Sequence, residues 1–172
     1  STYNLTNKEL QCKRMNTNAP LIELANSISS DYNVLRSWVL PSLMEILSNN
    51  KHHEYPQKIF TIGAIFKKNE NFDTNIEENE RLAVAIASEK TDYTEIRQIM
   101  DYLFRSLGLK YEITEIEHNS FIEGRVGRVI VNGKKIAYIG EINPLVITNW
   151  ELEMPVTAFE LNLTELYGIM KK

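Results

Sequence analysis

The charges best placed to do chemistry in this chain are Arg36, Glu123 and Arg125, because each stands inside an otherwise apolar stretch. A charge in such surroundings either pairs to fix a strand end or turns toward a ligand or a partner. Glu123 and Glu141 would make a carboxylate pair if a hairpin brought their segments together. Two surface glutamates, or a salt bridge to Arg125, are the plainer alternatives. His52-His53 stand next to Glu54, but adjacent histidines at one helix end point in different directions. A solvated helix C-terminus, where positive charge is favoured, fits them better than a metal. His118 has no cysteine or second histidine near it in sequence. The single cysteine, Cys12, excludes an internal disulfide, fits a reducing compartment and has no neighbour that would activate it. Gly124, Gly127 and Gly140 lack the GxGxxG or P-loop spacing of a phosphate cradle, and no serine sits in a nucleophile elbow. The pairs Lys67-Lys68 and Lys134-Lys135 fall on expected turns and read as solvated.

These groups must be held by elements that the pattern places as follows. Thr6-Asn7-Lys8-Glu9 is a capping-box pattern that opens a short helix through about Met15, and residues 1–20 read as that helix and a linker. Leu21 to Ala25 reads as a short strand, 26–33 as turn-like, and Val34 to Trp38 as extended. Pro41 suits the first position of a helix running to about Asn50 with Leu43, Ile46 and Leu47 on its apolar face. Lys58 to Phe66 and Arg81 to Ser88 are strands, with the charged, Asn-rich stretch 67–80 read as an exposed loop between them. Asp92 and Glu95 cap a helix that ends at Gly108, on which Arg97, Asp101 and Arg105 are spaced for weak surface pairs. Tyr111 to Ile116 is a strand. Asn132-Gly133 is a type I′ hairpin signal that would set Val129 opposite Ile136 and Gly127 opposite Tyr138. Asn143-Pro144 starts a short helix, and Val156 to Asn162 is a last strand. Hairpins and a few helices without a βαβ rhythm give an α+β class with a mainly antiparallel sheet.

The chain has 172 residues, enough for one domain with a real core, and its 43% hydrophobic and 24% charged content is ordinary for a soluble protein. A net charge of −4 argues against a dedicated nucleic-acid surface. No apolar run reaches the length of a membrane span and no signal-peptide pattern is present, so a cytoplasmic site and no membrane partner are expected. The chain does not open on Met, which leads us to expect a piece of a longer protein.

Several segments in fixed order carry a family resemblance. They are 31–37 (Asp-Tyr-Asn-Val-Leu-Arg-Ser), Leu40-Pro41-Ser42-Leu43, Ile59-Phe60-Thr61-Ile62-Gly63, 120–129 leading to Asn132-Gly133, 138–144, 150–156 and Ala158-Phe159-Glu160-Leu161. In this order and spacing the chain resembles the C-terminal part of the phenylalanyl-tRNA synthetase beta subunit, in wording closest to the archaeal and eukaryotic type. The resemblance implies a class II synthetase-like antiparallel sheet flanked by helices, doing no chemistry and supporting a catalytic alpha subunit. It further implies that the whole enzyme charges tRNA with phenylalanine using ATP and Mg²⁺ as a heterotetramer, with the beta subunit's editing site upstream of this segment. In active class II enzymes one arginine follows a strand of the second motif and another lies on a glycine-rich segment near the C-terminus. Here Lys67-Lys68-Asn69 follow the first of these strands, and 162–168 (Asn-Leu-Thr-Glu-Leu-Tyr-Gly) occupy the place of the second. A lysine lacks the bidentate fork of a guanidinium. No catalytic, cofactor or metal residue is therefore expected in this piece, ATP and Mg²⁺ belonging to the parent complex.

Leu35, Arg36, Trp38, Val39, Leu40, Glu123 and Arg125 are the expected interface with the alpha subunit or lining of a vestigial pocket, and replacing Trp38 or Leu40 by Asp is expected to weaken the interface without unfolding the domain. No main tRNA contact is expected. Two alternatives stay open: an active ligase using Lys67 or Lys68 in place of arginine, and a stand-alone relative that senses an amino acid.

Overall fold

The protein's structure, a computed structural model, describes residues 3–27 and 29–171. Ile28, in the stretch expected to be turn-like, lies outside the described residues, as do Ser1, Thr2 and Lys172 at the ends. Six strands form one antiparallel sheet in the order β4-β5-β9-β8-β7-β6. They are β4 (Gln57–Lys68), β5 (Ile76–Ala87), β6 (Glu112–Glu115), β7 (Phe121–Val131), β8 (Lys134–Ile142) and β9 (Val156–Asn162). A small sheet of order β1-β3-β2 joins β1 (Leu5–Thr6), β2 (Ile22–Glu23) and β3 (Val34–Leu35). The helices are α1 (Leu40–Asn49), α2 (Tyr93–Ser106), α3 (Pro144–Asn149) and α4 (Leu163–Met170).

The large sheet is covered on both faces, because its central strands carry apolar residues at successive positions rather than at alternate ones. On β5, Ala83, Ala85 and Ala87 pack with α1, Met15, Val146 and Trp150 in one core. Leu82, Val84 and Ile86 face the other, with Ile96, Met100 and Phe104 of α2 and Leu166 and Ile169 of α4. The alanines on one side allow α1 to lie close to the sheet; the larger residues on the other side fill the space under α2.

Local chemistry sets the element ends much as expected. Asp92 Oδ1 accepts the Glu95 N–H at 2.8 Å, and Asn143 Oδ1 accepts that of Leu145 at 2.9 Å. Asn132 and Gly133 both take positive φ, 48° and 76°.

Other expectations need correcting. The N-terminal helix is a single wide turn of π-helix, Glu9–Lys13, and its cap is Asn7, which accepts from Leu10 N at 3.0 Å, while Thr6 belongs to β1. The strands β4 and β5 pair from Gln57–Ala87 out to Lys68–Ile76, so the loop spans only 69–75. Lys67 and Lys68 therefore lie on a strand, where cross-strand pairing outweighs the weak propensity of their sequence. A bulge at Ile136 shifts the β7–β8 hairpin, so Val129 faces Ala137 and Gly127 faces Ile139, and Tyr138 faces Arg128 instead of a glycine. Asp101 accepts the Tyr111 hydroxyl at 2.6 Å in place of the expected arginine pairs. Helix α4 was not foreseen, although Asn162 with Glu165 is a capping signal: Asn162 Oδ1 accepts Glu165 N at 3.1 Å.

Candidate functional site

The sheet register gathers charge on the face that carries α1. Opposed residues in an antiparallel pair share a face, so Ala83, Glu160, Tyr138 and Arg128 form one row across β5, β9, β8 and β7. Arg81 stands two residues before Ala83, and Lys67 lies on the same face of β4. Lys67, Arg81, Arg128, Tyr138 and Glu160 line a cavity of about 400 Å³ together with Trp38, Leu40, His118 and Phe121. Aromatic rings make one wall: His118 lies 5.7 Å from Trp38, 5.2 Å from Phe121 and 5.1 Å from Tyr138 between ring centroids.

Glu160 is the acidic member. It is 4% exposed, and its Oε2 accepts the N–H groups of Val39 at 2.9 Å and Leu40 at 2.8 Å. It thus caps α1, whose own cap residue Val39 supplies no side-chain acceptor. Burial raises its pKa, against the pull of Arg81, those two N–H groups and Arg36.

The basic members are held differently. The Arg128 guanidinium carbon sits 3.9 Å over the Tyr138 ring, and its Nη2 donates to Lys135 O at 3.3 Å. Burial lowers the pKa of Arg128 despite the Tyr138 contribution. Burial, then the Arg81 charge, lowers that of Lys67. The Nε atoms of Arg81 and Arg128 are buried without a hydrogen-bond partner. His118 is held below its ordinary 6.5, first by burial and then by Arg128. Its Nδ1 accepts the Ser120 N–H at 3.2 Å.

The residues singled out in the sequence separate under this geometry. Trp38 reaches the cavity, with its Nε1 donating to Gln11 O at 3.2 Å. Arg36 is 1% exposed and acts as an internal strut, donating from Nε to Ala64 O at 2.6 Å and from Nη2 to Asn4 Oδ1 at 3.0 Å. Burial lowers its pKa and Glu160 opposes the shift. Val39 and Leu40 are fully buried in the core around α1, so they offer no surface to a partner, which corrects the expectation that Leu40 could be changed to Asp without unfolding. Leu35 is half-buried between Leu5 and Ile22. Glu123 is exposed, and Arg125 pairs at 2.7 Å with Glu141; none of the three lines the cavity. Of the cavity's charges the sequence pointed to Lys67 and Lys68 alone, as stand-ins for arginine in an active ligase, and not to Arg81, Arg128 or Glu160. The signal available was a charge set among apolar strand residues: Glu160, the one charge within Val156–Asn162, and Arg128 between Gly127 and Val129. Among the described residues no three His, Cys, Asp or Glu side chains come together as a metal site, and no helix is long and apolar enough to cross a membrane.

A six-stranded antiparallel sheet with helices on both faces and a cation-lined cavity against one of them defines an α+β protein with a pocket of small-molecule size. The comparisons with known proteins make this specific. The family model for the phenylalanyl-tRNA synthetase beta chain CLM domain matches residues 1–163, and the chain belongs to that family. It is 51% identical over 167 residues to a phenylalanine–tRNA ligase beta subunit of Pyrococcus abyssi, covering 96% of this chain and 30% of that protein. It is 48% identical over 180 residues to that of Thermococcus onnurineus, covering 96% of this chain and 32% of the relative. The beta subunit of Methanopyrus kandleri is 38% identical over 154 residues, covering 89% of this chain and 26% of its own. The chain spans about a third of the length of these curated relatives.

Proposed function

We propose that this chain is a non-catalytic body of the phenylalanine–tRNA ligase beta subunit and that it braces the alpha subunit carrying the reaction. Family membership supports the parent complex. In this reading the segment lies toward the C-terminal end of a longer cytoplasmic beta chain and takes a class II synthetase-like form. ATP, Mg²⁺, phenylalanine and tRNA are then handled by the assembled enzyme.

The observation that carries the bracing role is the bare apolar part of the outer strand of the large sheet. Strand β4 is an edge strand of 12 residues, engaged on its outer side by Arg36 at Ala64 O and Phe66 N. Its outer face leaves Phe60 71% and Ile62 50% exposed, beside Tyr102 of α2 at 73%. A long edge with bare apolar side chains is a liability in an isolated protein and is normally covered by a partner. Arg36 and Glu160, two charges deep in the sheet region, are meanwhile spent on holding backbone groups.

The test is co-purification of full-length beta chain with alpha subunit after Phe60→Asp with Ile62→Asp. Loss of alpha subunit with an unchanged melting profile of the beta chain is expected. Undiminished retention of alpha would remove this surface from the proposal.

A second reading, an active ligase, is favoured by the convergence of Lys67, Arg81 and Arg128 on one cavity. Phenylalanine-dependent ATP–pyrophosphate exchange by the beta chain without alpha, lost on Lys67→Ala, would establish it in place of the first.

A further inference from the structure

We propose that the cavity on the α1 face is a binding site for a small organic phosphate, an anionic head attached to a flat ring. The inference stands on the cavity alone and does not depend on whether the alpha subunit is braced by this chain.

Charge sets the head group. Lys67, Lys68, Arg81 and Arg128 line the cavity against one carboxylate, Glu160, so the lining carries four positive charges to one negative. That carboxylate is engaged by the N–H groups of Val39 and Leu40. The other nearby carboxylate, Glu77, lies opposite Lys67 across the hairpin and accepts from Asn69 and Asn79, both at 2.8 Å. None of the ion pairs among the described residues involves Lys67, Lys68, Arg81 or Arg128. Buried polar nitrogens are ordinarily paired, yet the Nε of Arg81 and of Arg128 are buried without a hydrogen-bond partner, while Arg128 donates to Lys135 O through Nη2. Burial loosens the hold of Lys67 and Arg128 on their protons, cations gathered in one cavity attract an anion, and a guanidinium fork matches phosphate oxygens.

Shape sets the rest of the ligand. The aromatic wall of Trp38, His118, Phe121 and Tyr138 faces the same space. The Arg128 guanidinium carbon stands 3.9 Å over the Tyr138 ring, a contact that holds the side chain in place before any ligand arrives. A volume of about 400 Å³ admits a ring with a phosphate. With His118 held below its ordinary 6.5, the wall beside the cations contributes a neutral ring at neutral pH.

The experiment is calorimetric titration of the full-length beta chain, assembled with alpha, with three probes: phenyl phosphate, phenylacetate and inorganic phosphate. Alpha-site occupancy is held constant by saturating phenylalanine. Saturable binding of phenyl phosphate is expected, weakening as salt rises. Arg81→Gln and Arg128→Gln should each weaken it roughly ten- to hundred-fold, and Arg125→Gln should leave it unchanged. Should Arg81→Gln fail to fold, Arg128→Lys, which keeps the charge and loses the fork, should still weaken binding. Equal affinity for phenylacetate would overturn the choice of phosphate, and equal affinity for inorganic phosphate would overturn the ring. Absence of saturable binding, or equal loss in the Arg125 variant, would sink the site itself.

Discussion

Arg36 lies across the face of Gly63. A Cβ placed on that glycine would fall 2.9 Å from the Arg36 Cζ and closer still to Nη2. Gly63 is thus the recess in β4 through which a buried guanidinium reaches Ala64 O and Asn4 Oδ1. The glycine of Ile59-Phe60-Thr61-Ile62-Gly63 is required by the arginine of Val34-Leu35-Arg36. Gly63→Ala should push the side chain aside and destabilise the fold by about 1–3 kcal/mol. Chemical denaturation of the variant measures this; an unchanged midpoint would mean that Arg36 can leave its recess at no cost.

Leu40 offers a sharper contrast with the sequence expectation. Fully buried beside Val39 at the start of α1, it belongs to the core and not to a partner surface. Leu40→Ala is expected to cost about 2–5 kcal/mol, and Leu40→Asp to prevent folding, because an unpaired carboxylate would be buried. Circular dichroism separates this from a pure binding defect, which would leave the spectrum and melting temperature unchanged.

The cap that Glu160 provides to α1 can be tested by two substitutions. Glu160→Ala leaves the N–H groups of Val39 and Leu40 without their acceptor and is expected to cost about 1–3 kcal/mol. Glu160→Gln keeps an acceptor oxygen and removes the buried charge, so its cost is expected to be smaller. Equal losses in thermal unfolding would show that the charge, and not the acceptor, matters.

Acidification sets two groups against each other. His118 is depressed below its ordinary 6.5, so below that pH the unfolded chain binds a proton that the folded chain refuses. The stability it contributes is complete above pH 6.5 and is lost as pH falls through its folded value. Glu160 is raised above the ordinary 4.5, so protonation on acidification relieves its burial and works in the opposite direction. His118→Asn, which keeps an acceptor for Ser120 N, is expected to flatten the loss of stability just below pH 6.5. Identical slopes for wild type and variant over that interval would assign the loss to other groups.

Arg125 marks the other end of the scale. Its exposed side chain pairs with Glu141, which strengthens its hold on its proton. Solvent screening leaves such pairs with little effect on stability. Arg125→Ala should leave the melting temperature and alpha-subunit binding unchanged; a clear drop in either would restore the functional role suggested by its apolar neighbourhood.

Much of this protein was decided within a few residues of chain. The caps at Asp92 and Asn143, the Asn132-Gly133 turn, Pro41 at the head of α1 and the apolar runs of β5 and β9 all act over short range, and the sequence alone determines them. So does the family, through segments kept in one order. The tertiary structure decided what no local pattern contains. Lys67 and Lys68 became strand because β5 pairs with them, and a bulge at Ile136 moved Tyr138 from Gly127 to Arg128. The N-terminus of α1 finds its acceptor in a glutamate 120 residues further along the chain. The cavity likewise draws Lys67, Arg81, Arg128 and Glu160 from four different strands. Hydrogen bonding and charge act through space, so groups with distant numbers acquire a common chemistry only when the sheet register fixes which of them share a face.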